Sequence, residues 1–421
     1  MWSRRAFLKA GGLAMFSAGV GGVPRFISRT ALASSGGMAG GKRRVLVAIF
    51  QRGAMDGLMA VSPLEEPLLR QYRPHLMMEP APRAGGEGLI PLDALYGMHP
   101  GLSSLLPLYR EGHLAIVHGV GSPDTTRSHF DAQDYMETGT PGRKGTGSGW
   151  LNRATRMLPG EATPFRAVAM TSSLPRSLYG EEPALAIADL PSFGFTGGRR
   201  SKGGSLLLRG FQSLYEDTVD PLLRKAGGES FEAARLLSGS NRESYRPAAG
   251  ANYPETRFGK SLRQIAQLIK SDVGLEVAFA EMGGWDTHVQ QGASTGPFAR
   301  LSGELAGGIS AFWADLQDER ERVLLMTMTE FGRTVRENGS GGTDHGRASC
   351  LFLLGQGVKG GAVHGGLPPL MESELEEGRD LPVRVDFRSV FGEVAARHLG
   401  LADASELFPG WKGVRMDLLR A

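Results

Sequence analysis

The stretch Arg44-Val-Leu-Val-Ala-Ile-Phe50 is a short apolar run rich in branched residues, and the polar residues Gln51 and Arg52 follow it directly. A run of this length and composition predicts a strand that is buried on both faces. Five further runs share this character: Leu114–Val120, Arg166–Met170, Leu275–Ala280, Val323–Met328 and Leu351–Leu354. The sequence therefore predicts a core sheet of at least six strands.

Helical patterns lie between these runs, at 102–110, 205–237, 258–271, 297–316 and 388–399. Strands that alternate with helices, without a polar residue at every second position, indicate a mostly parallel sheet. We predict an α/β fold with a doubly wound, mostly parallel sheet and helices on both faces. Residues of about 205–270 contain no strand pattern and are interpreted as a helical insertion or cap.

The first 33 residues have the features of a twin-arginine signal peptide. Arg4 and Arg5 precede a moderately apolar stretch that ends at Ala31-Leu32-Ala33. An anchoring helix is the alternative, but several glycines and Pro24 interrupt the stretch, and spanning takes about 20 apolar residues. We expect cleavage after Ala33 and export by the twin-arginine translocase. Residues 34–421 would then be a single periplasmic or otherwise extracytoplasmic domain.

The whole chain has 47 basic and 44 acidic residues, but residues 1–33 hold five of the basic ones and no acidic ones. The remaining 388 residues carry 42 basic and 44 acidic side chains. They contain no basic run that could follow a phosphate backbone, which argues against nucleic acid as a partner. They also show no pattern of a stable transmembrane segment. The single cysteine, Cys350, excludes an internal disulfide.

Polar clusters follow four of the predicted strands, and in a parallel sheet the carboxyl ends of the strands form the usual ligand site. In Gly-Gly-Trp-Asp-Thr-His (283–288), an extended backbone places Asp286 and His288 on one face and Thr287 on the other. One carboxylate and one imidazole form a plausible arm for a divalent metal. A turn in which Asp286 binds backbone amides is the alternative.

A second cluster lies between Thr327 and Ala348. Glu330 follows a strand, and Asp344 and His345 follow a glycine-rich loop. Adjacent residues in an extended chain point to opposite sides, so we expect His345 to be a ligand. Asp344 would orient His345 or fix the loop. Asp56 is a candidate ligand by position alone, and helix capping is its alternative role.

The segment from Thr125 to Asp134 has two interpretations. Ser128 and Asp131 have the spacing of a helix capping box. Alternatively, the hydroxyl of Ser128, Thr126 or Thr125 is a nucleophile or an anion ligand at a helix start, assisted by Arg127.

Several motifs together resemble one family: QRGAMDGL (51–58), RSHFDAQDYMETG (127–139), GGWDTH (283–288), TEFGRTVRENGSGGTDHG (329–346) and DFRSV (386–390). With the twin-arginine start, they resemble the exported proteins grouped as domain of unknown function 1501. That family is regarded as related in fold to the alkaline phosphatase and sulfatase superfamily. The resemblance implies an alkaline-phosphatase-like sheet with a metal-assisted phosphate or sulfate ester site at the strand ends.

By this resemblance, Asp286 and His288 look like the superfamily's Asp-x-x-x-His arm with a shorter spacing, and His345 looks like its last metal-binding histidine. The chain has Glu330-Phe331 where the superfamily has an Asp-His pair, and phenylalanine cannot bind metal. We therefore expect one divalent metal on Asp286, His288 and His345, aided by Glu330 or Asp56.

The expected substrate is an anionic small-molecule or glycan ester, held by Arg333 or Arg127. The alternative function is that of an inactive superfamily member that binds or assembles components of the cell envelope.

Overall fold

The computed structural model describes residues 42–80, 88–191, 245–401 and 403–420. Its strands are β1 (Val45–Gln51), β2 (Val61–Pro63), β3 (Ile90–Pro91), β4 (Tyr96–Met98), β5 (Leu114–Gly121), β6 (Ala167–Ala169), β7 (Leu185–Ala186), β8 (Val277–Met282), β9 (Val323–Met328), β10 (Ser349–Leu354), β11 (Val363–His364) and β12 (Val385–Asp386). The six predicted strands all form, and the six additional strands are only two or three residues long.

The main sheet has the order β11-β5-β10-β9-β1-β8-β6-β7, and β12 also pairs with β5. Strand β1 lies between β8 and β9 and is parallel to both. The predicted α/β class with a mostly parallel sheet is confirmed. Strands β2, β4 and β3 form a small separate antiparallel sheet.

One strand of the main sheet runs against its neighbours. Strand β10 is antiparallel to both β5 and β9. Its first residue, Ser349, pairs with Val120 near the carboxyl end of β5. The loop that enters β10 therefore reaches the same edge of the sheet as the loops that leave β1, β5, β8 and β9.

The helices are α1 (Gly57–Ala60), α2 (Pro67–Tyr72), α3 (Leu106–Arg110), α4 (His129–Thr138), α5 (Trp150–Met157), α6 (Arg257–Lys270), α7 (Pro297–Leu316), α8 (Phe387–Arg397) and α9 (Ala404–Leu407). Three helical predictions agree with α6, α7 and α8 within two residues. The pattern at 102–110 divides into a 3-10 turn, Pro100–Leu105, followed by α3.

Helices cover both faces of the sheet because β1 alternates its side chains between two apolar cores. Val45, Val47 and Ile49 pack in the core that contains α6 and α7. Leu46, Ala48 and Phe50 pack in the core that contains α5 and α8. With every residue of β1 buried on one face or the other, polar residues have room only at the strand ends.

The predicted signal peptide at 1–33 and residues 205–244 of the predicted insertion lie outside the described residues. The carboxyl part of that insertion includes α6, which contacts α7 and β8. Among the described residues, no helix has the length and apolar character needed to cross a membrane.

Candidate metal centre

Asp286 and His288 reach the carboxyl edge of the sheet on the segment that leaves β8. Trp285 is buried in the core, and Thr287 is buried with its hydroxyl 2.8 Å from Gln291 Oε1. Asp286 and His288 point the other way, with 3.0 Å between Asp286 Oδ1 and His288 Nε2. This is the arrangement that the spacing of the two residues predicts. Gly53 makes it possible, because a Cβ there would stand 2.5 Å from the backbone nitrogen of Asp286.

His345 comes from the loop that enters β10, and two glycines let this loop lie close to the rest of the site. A Cβ on Gly342 would stand 2.4 Å from the carbonyl of Thr287, and a Cβ on Gly346 would stand 2.4 Å from the carbonyl carbon of Arg333. The loop is also held by the amide of Gly346, which donates to Gly332 at 2.9 Å. His345 Nε2 thereby comes within 3.2 Å of Asp286 Oδ1.

His129 completes the cluster, and the sequence interpretation did not include it. It is the first residue of α4, which begins just past the end of β5. Its Nε2 lies 3.4 Å from Asp286 Oδ1. His129, Asp286 and His345 offer ligand atoms that all lie within 4.8 Å of one another, as a metal site requires.

Every one of the three imidazoles has its Nδ1 against an oxygen acceptor. His129 Nδ1 lies 2.8 Å from Glu330 Oε1, His288 Nδ1 lies 3.0 Å from Asp344 Oδ1, and His345 Nδ1 lies 2.8 Å from the carbonyl of Arg127. An acceptor opposite Nδ1 places the hydrogen of a neutral ring on that atom. The three Nε2 atoms then present lone pairs to Asp286 Oδ1.

Lone pairs at these distances repel one another unless they share a cation. His288 Nε2 and His345 Nε2 are 2.9 Å apart, and they lie 3.0 and 3.2 Å from Asp286 Oδ1. His129 Nε2 is buried and has no hydrogen-bond partner. Ligand atoms around a divalent transition metal with bonds of about 2.1 Å stand about 3.0 to 3.4 Å apart. The residues present therefore fit a metal ion.

The cluster is open on one side and closed on the other. The side chains of Asp286 and His288 are 45% and 37% exposed, whereas His129 and His345 are 23% and 24% exposed. Phe331 is buried, with its ring centroid 4.9 Å from that of His129 and 5.0 Å from that of His345. It forms an apolar inner wall, and a ligand has access from the side of Asp286 and His288.

Local charges fix the protonation of the cluster. The hydrogen bond to Glu330 raises the pKa of His129, while partial burial lowers the pKa of His345. Burial alone would raise the pKa of Asp286, but the hydrogen bond and charge of Arg333 outweigh it and hold that pKa below its usual value. Without a metal, the carboxylate is thus charged and His345 is neutral at pH 7.

The predicted ligand Glu330 is instead a partner of His129. It is fully buried, and its Oε1 accepts from His129 Nδ1, the amide of Gly53 and Gln133 Nε2, each at 2.8 Å. Three donors occupy Oε1 and the Thr329 hydroxyl lies 3.2 Å from Oε2, so both oxygens have partners within the chain. Asp344, similarly, orients His288 and not its neighbour His345.

Asp56 is not part of this cluster. It precedes α1 and accepts from the amide of Met59 at 3.1 Å, which is the capping role considered above. Its carboxylate also forms a buried ion pair with Arg73, with a Nη1 to Oδ2 distance of 2.8 Å. Gln291 donates to Oδ2 at 2.8 Å. These donors occupy both oxygens, so the prediction of Asp56 as a ligand is wrong.

The two predicted anion-binding arginines are already paired. Arg127 donates to Asp380 Oδ2 at 2.6 Å and to Glu377 at 2.8 Å. The side chain of Arg333 has no exposed surface and donates to Asp286 Oδ1 at 2.7 Å. Arg333 therefore positions Asp286 of the cluster, and Arg127 supplies its carbonyl to His345.

The hydroxyl candidates lie beside the cluster, on the segment that enters α4. Ser128 is exposed, immediately precedes the helix and makes no side-chain capping bond, so the predicted capping box does not form. The hydroxyl of Thr126 accepts from the amide of Ser128 at 3.2 Å. Ser128 adjoins His129 in the chain, and its role as a nucleophile stays a prediction.

These features define an α/β protein with a histidine and aspartate cluster at the carboxyl ends of its strands. Residues 115–408 match the model of a family described as "Protein of unknown function (DUF1501)". That match covers more than half of the chain, and the protein belongs to this family. No curated protein matches the sequence.

Solved structures that match the chain include the lipoteichoic acid synthase LtaP from Listeria monocytogenes, at 9% identity and a TM-score of 0.30, with 78% of this chain and 67% of that chain covered. A protein in the alkaline phosphatase superfamily from Vibrio parahaemolyticus matches at 10% identity and a TM-score of 0.31, with 77% of this chain and 62% of that chain covered. The PsFucS1 sulfatase from Pseudoalteromonas sp. matches at 10% identity and a TM-score of 0.33, with 77% of this chain and 65% of that chain covered. This chain spans less than two thirds of the latter two.

Proposed function

We propose that this protein is a metal-dependent hydrolase of phosphate or sulfate esters. The observation that carries the proposal is the convergence of three imidazole Nε2 atoms on Asp286 Oδ1, with each Nδ1 tied to an oxygen acceptor. The ester class rests on the resemblance of the motifs at 283–288 and 329–346 to a family related to phosphatases and sulfatases. The open side of the cluster provides access for such a substrate.

The donor set indicates the kind of metal. Three imidazole nitrogens and one carboxylate oxygen suit zinc, manganese, iron or cobalt, whereas calcium and magnesium prefer oxygen ligands alone. A bound divalent ion would polarise the ester and lower the pKa of a coordinated water. Arg333 holds Asp286 in place, Phe331 closes the inner wall, and the acceptors on Nδ1 hold the rings in the binding tautomer.

A second function has a specific observation in its favour. Both arginines that were expected to hold an anionic group are neutralised by carboxylates of the chain itself. A metal site in which neither of these arginines is free to bind an anionic group also suits a binding or assembly protein of the cell envelope. A binding protein of this kind would retain metal and hydrolyse no ester.

Metal content and ester hydrolysis separate these functions. We would measure metal in natively purified protein by elemental analysis, for the wild type, His129→Ala and Asp286→Ala. His364→Ala is the matched control, because His364 lies on the edge strand β11, where its Nε2 lies 2.9 Å from the carbonyl of Lys359. The proposal expects about one metal per chain in the wild type and in the control, and a large loss in both cluster variants.

The same four proteins would be assayed with a panel of phosphate and sulfate esters. Hydrolysis by wild type and control, lost in both cluster variants, supports the hydrolase. Metal without hydrolysis favours the binding protein. A folded wild type without metal, even after incubation with zinc or manganese, contradicts both proposals.

We also propose that the protein acts outside the cytoplasm, after export by the twin-arginine translocase. The support is Arg4-Arg5 ahead of an apolar stretch that ends at Ala33. Expression in a host with and without a functional twin-arginine translocase tests this. We expect a mature protein that begins at Ser34 in the first host, and an uncleaved cytoplasmic chain in the second. Equal export from both hosts would contradict the proposal.

A further inference from the structure

One face of α4, beside its buried apolar residues, carries polar side chains that point toward the ends of the strands. His129, Gln133 and Glu137 recur at four-residue intervals and therefore lie on one face. Each contacts a residue at or beyond a strand end. His129 and Gln133 contact Glu330, and Glu137 contacts Arg52 through a Nη2 to Oε1 distance of 3.0 Å. Polar contacts thus connect this face of the helix to residues around the cluster.

Arg52 determines which way the amide of Gln133 points. Arg52 Nη1 donates to Gln133 Oε1 at 3.0 Å, so the amide nitrogen of Gln133 must face Glu330. Arg52 itself is fixed by Glu281, with a Nε to Oε2 distance of 2.6 Å, and by Glu137. A continuous chain of hydrogen bonds therefore runs from Arg52 through Gln133 and Glu330 to His129.

We infer that Glu330 and Gln133 are positioning residues for the metal, an inference that rests on the proposed metal site. Glu330 holds the hydrogen of His129 on Nδ1 and so keeps the Nε2 lone pair directed at Asp286 Oδ1. Gln133 holds Glu330 Oε1 in the place from which it can do this. Neither residue touches the metal.

The partner of His288 provides an internal comparison. Asp344 also faces an Nδ1, but its side chain is 54% exposed and its Oδ1 is shared with Asn338. A hydrogen bond to a buried carboxylate is stronger than one to an exposed carboxylate, because water screens the latter. Glu330 therefore contributes more to metal affinity than Asp344.

The test is a titration of the metal-free protein with Co²⁺, followed by the visible absorption of the bound ion. Glu330→Gln keeps an oxygen for the three donors and removes the charge. We expect about 10- to 100-fold weaker cobalt binding and a changed absorption spectrum, a change that a loss of stability alone would not produce. Asp344→Asn is expected to lose less than Glu330→Gln.

Asp134→Asn is the matched control. It also changes a carboxylate to an amide on α4, but at a side chain that pairs with Arg176, outside the chain of hydrogen bonds from Arg52 to His129. Its cobalt affinity and spectrum should stay within about twofold of the wild type, because the contacts of Glu330 and His129 are unchanged. Gln133→Met, at a half-buried site, repeats the test with a smaller expected loss, and it replaces Glu330→Gln if that variant does not fold.

Three outcomes overturn the inference. If the wild type binds cobalt and Glu330→Gln or Gln133→Met binds it equally well, the positioning role is wrong while the metal site stands. If Asp134→Asn loses as much affinity as Glu330→Gln, the effect is general to the helix. If the wild type binds no cobalt, the proposed metal site itself fails, and this inference fails with it.

Discussion

The carboxylates of Asp315 and Asp286 both have several close polar neighbours, but the two sets of neighbours differ in whether they donate hydrogen bonds. Asp315, on α7, accepts from Tyr245 and Tyr253 hydroxyls at 2.7 and 2.9 Å, from Lys270 Nζ at 2.7 Å and from the amide of Ala248 at 2.8 Å. All four partners are donors. Asp286 has one donor, Arg333, and three imidazole nitrogens whose hydrogens are on the far side of the ring.

The comparison shows how to distinguish a structural carboxylate from a ligand. Burial raises the pKa of Asp315, but its hydrogen bonds, first the one from Lys270, outweigh burial and lower that pKa. Its charge is satisfied within the chain. Around Asp286, three imidazole nitrogens converge on one carboxylate oxygen, a donor set that suits a metal ion. Asp315 therefore stabilises the fold, whereas Asp286 is proposed to bind a metal.

Buried histidines elsewhere in the chain extend the comparison to pH. His118 and His398 donate Nε2 to the carbonyls of Val61 and Val45, both at 2.9 Å, and burial lowers the pKa of each to about 4. An unfolded histidine titrates near 6.5, so the unfolded state takes up more protons between pH 6.5 and 4. Stability is intact above pH 6.5 and falls as the pH falls.

We expect these two histidines to contribute roughly 3 kcal/mol each to the loss of unfolding free energy at pH 4. Urea unfolding at pH 7 and at pH 4 measures the loss. His398→Gln, which can still donate to Val45, should lose markedly less stability on acidification than the wild type. An unchanged pH dependence in this variant would show that His398 is not a source of the acid sensitivity.

The next largest effect is expected at Asp315. Asp315→Asn places an amide hydrogen against a donor and leaves the ammonium of Lys270 without its carboxylate, so we expect a loss of about 3 kcal/mol in unfolding free energy. Metal content per folded chain should not change. If Asp315→Asn is as stable as the wild type, or if it loses metal while folded, Asp315 does not have the purely structural role that sets it apart from Asp286.

Metal binding should stabilise the wild type by a similar amount. At a free metal concentration about 100 times the dissociation constant, we expect about 2.7 kcal/mol of added unfolding free energy. A chelator should reverse it, and Asp315→Asn should show the same increment. The increment should vanish in His129→Ala. Thermal unfolding with and without zinc measures it, and a full increment in His129→Ala would exclude that residue as a ligand.

The smallest expected effect is at Asp286 in the metal-free protein. Asp286→Asn keeps an oxygen for Arg333 and removes the negative charge that faces the three lone pairs. We expect its metal-free unfolding free energy to lie within about 1 kcal/mol of the wild type, since sites built for a ligand add little stability without it. Urea unfolding in the presence of a chelator gives this value. A loss as large as that of Asp315→Asn would make Asp286 a structural residue.

Local sequence patterns predicted the sheet well, because a buried strand needs an apolar run whatever lies around it. The runs at 44–50 and 323–328 are strands, and the spacing in 283–288 does place Asp286 and His288 on one side. The direction of β10 was not predictable from its own residues. It depends on the long connection from β9, and it brings His345 to the site.

The roles of single polar residues were harder to predict because they depend on partners far along the chain. Asp56 pairs with Arg73, and Glu330 is 201 positions from His129. The capping-box spacing of Ser128 and Asp131 is typical of a helix start and does not indicate a functional role for His129. A usable signal was present in the four-residue spacing of His129, Gln133 and Glu137, a polar face on a helix that starts at a strand end.

The most direct test of the central claim is anomalous diffraction at the absorption edge of the bound metal, on crystals of protein purified without chelators. The account predicts one strong anomalous peak within bonding distance of His129, His288 and His345 Nε2 and of the Asp286 carboxylate. A well-ordered cluster with no peak, after incubation with zinc or manganese, or a peak on residues other than these four, would contradict it.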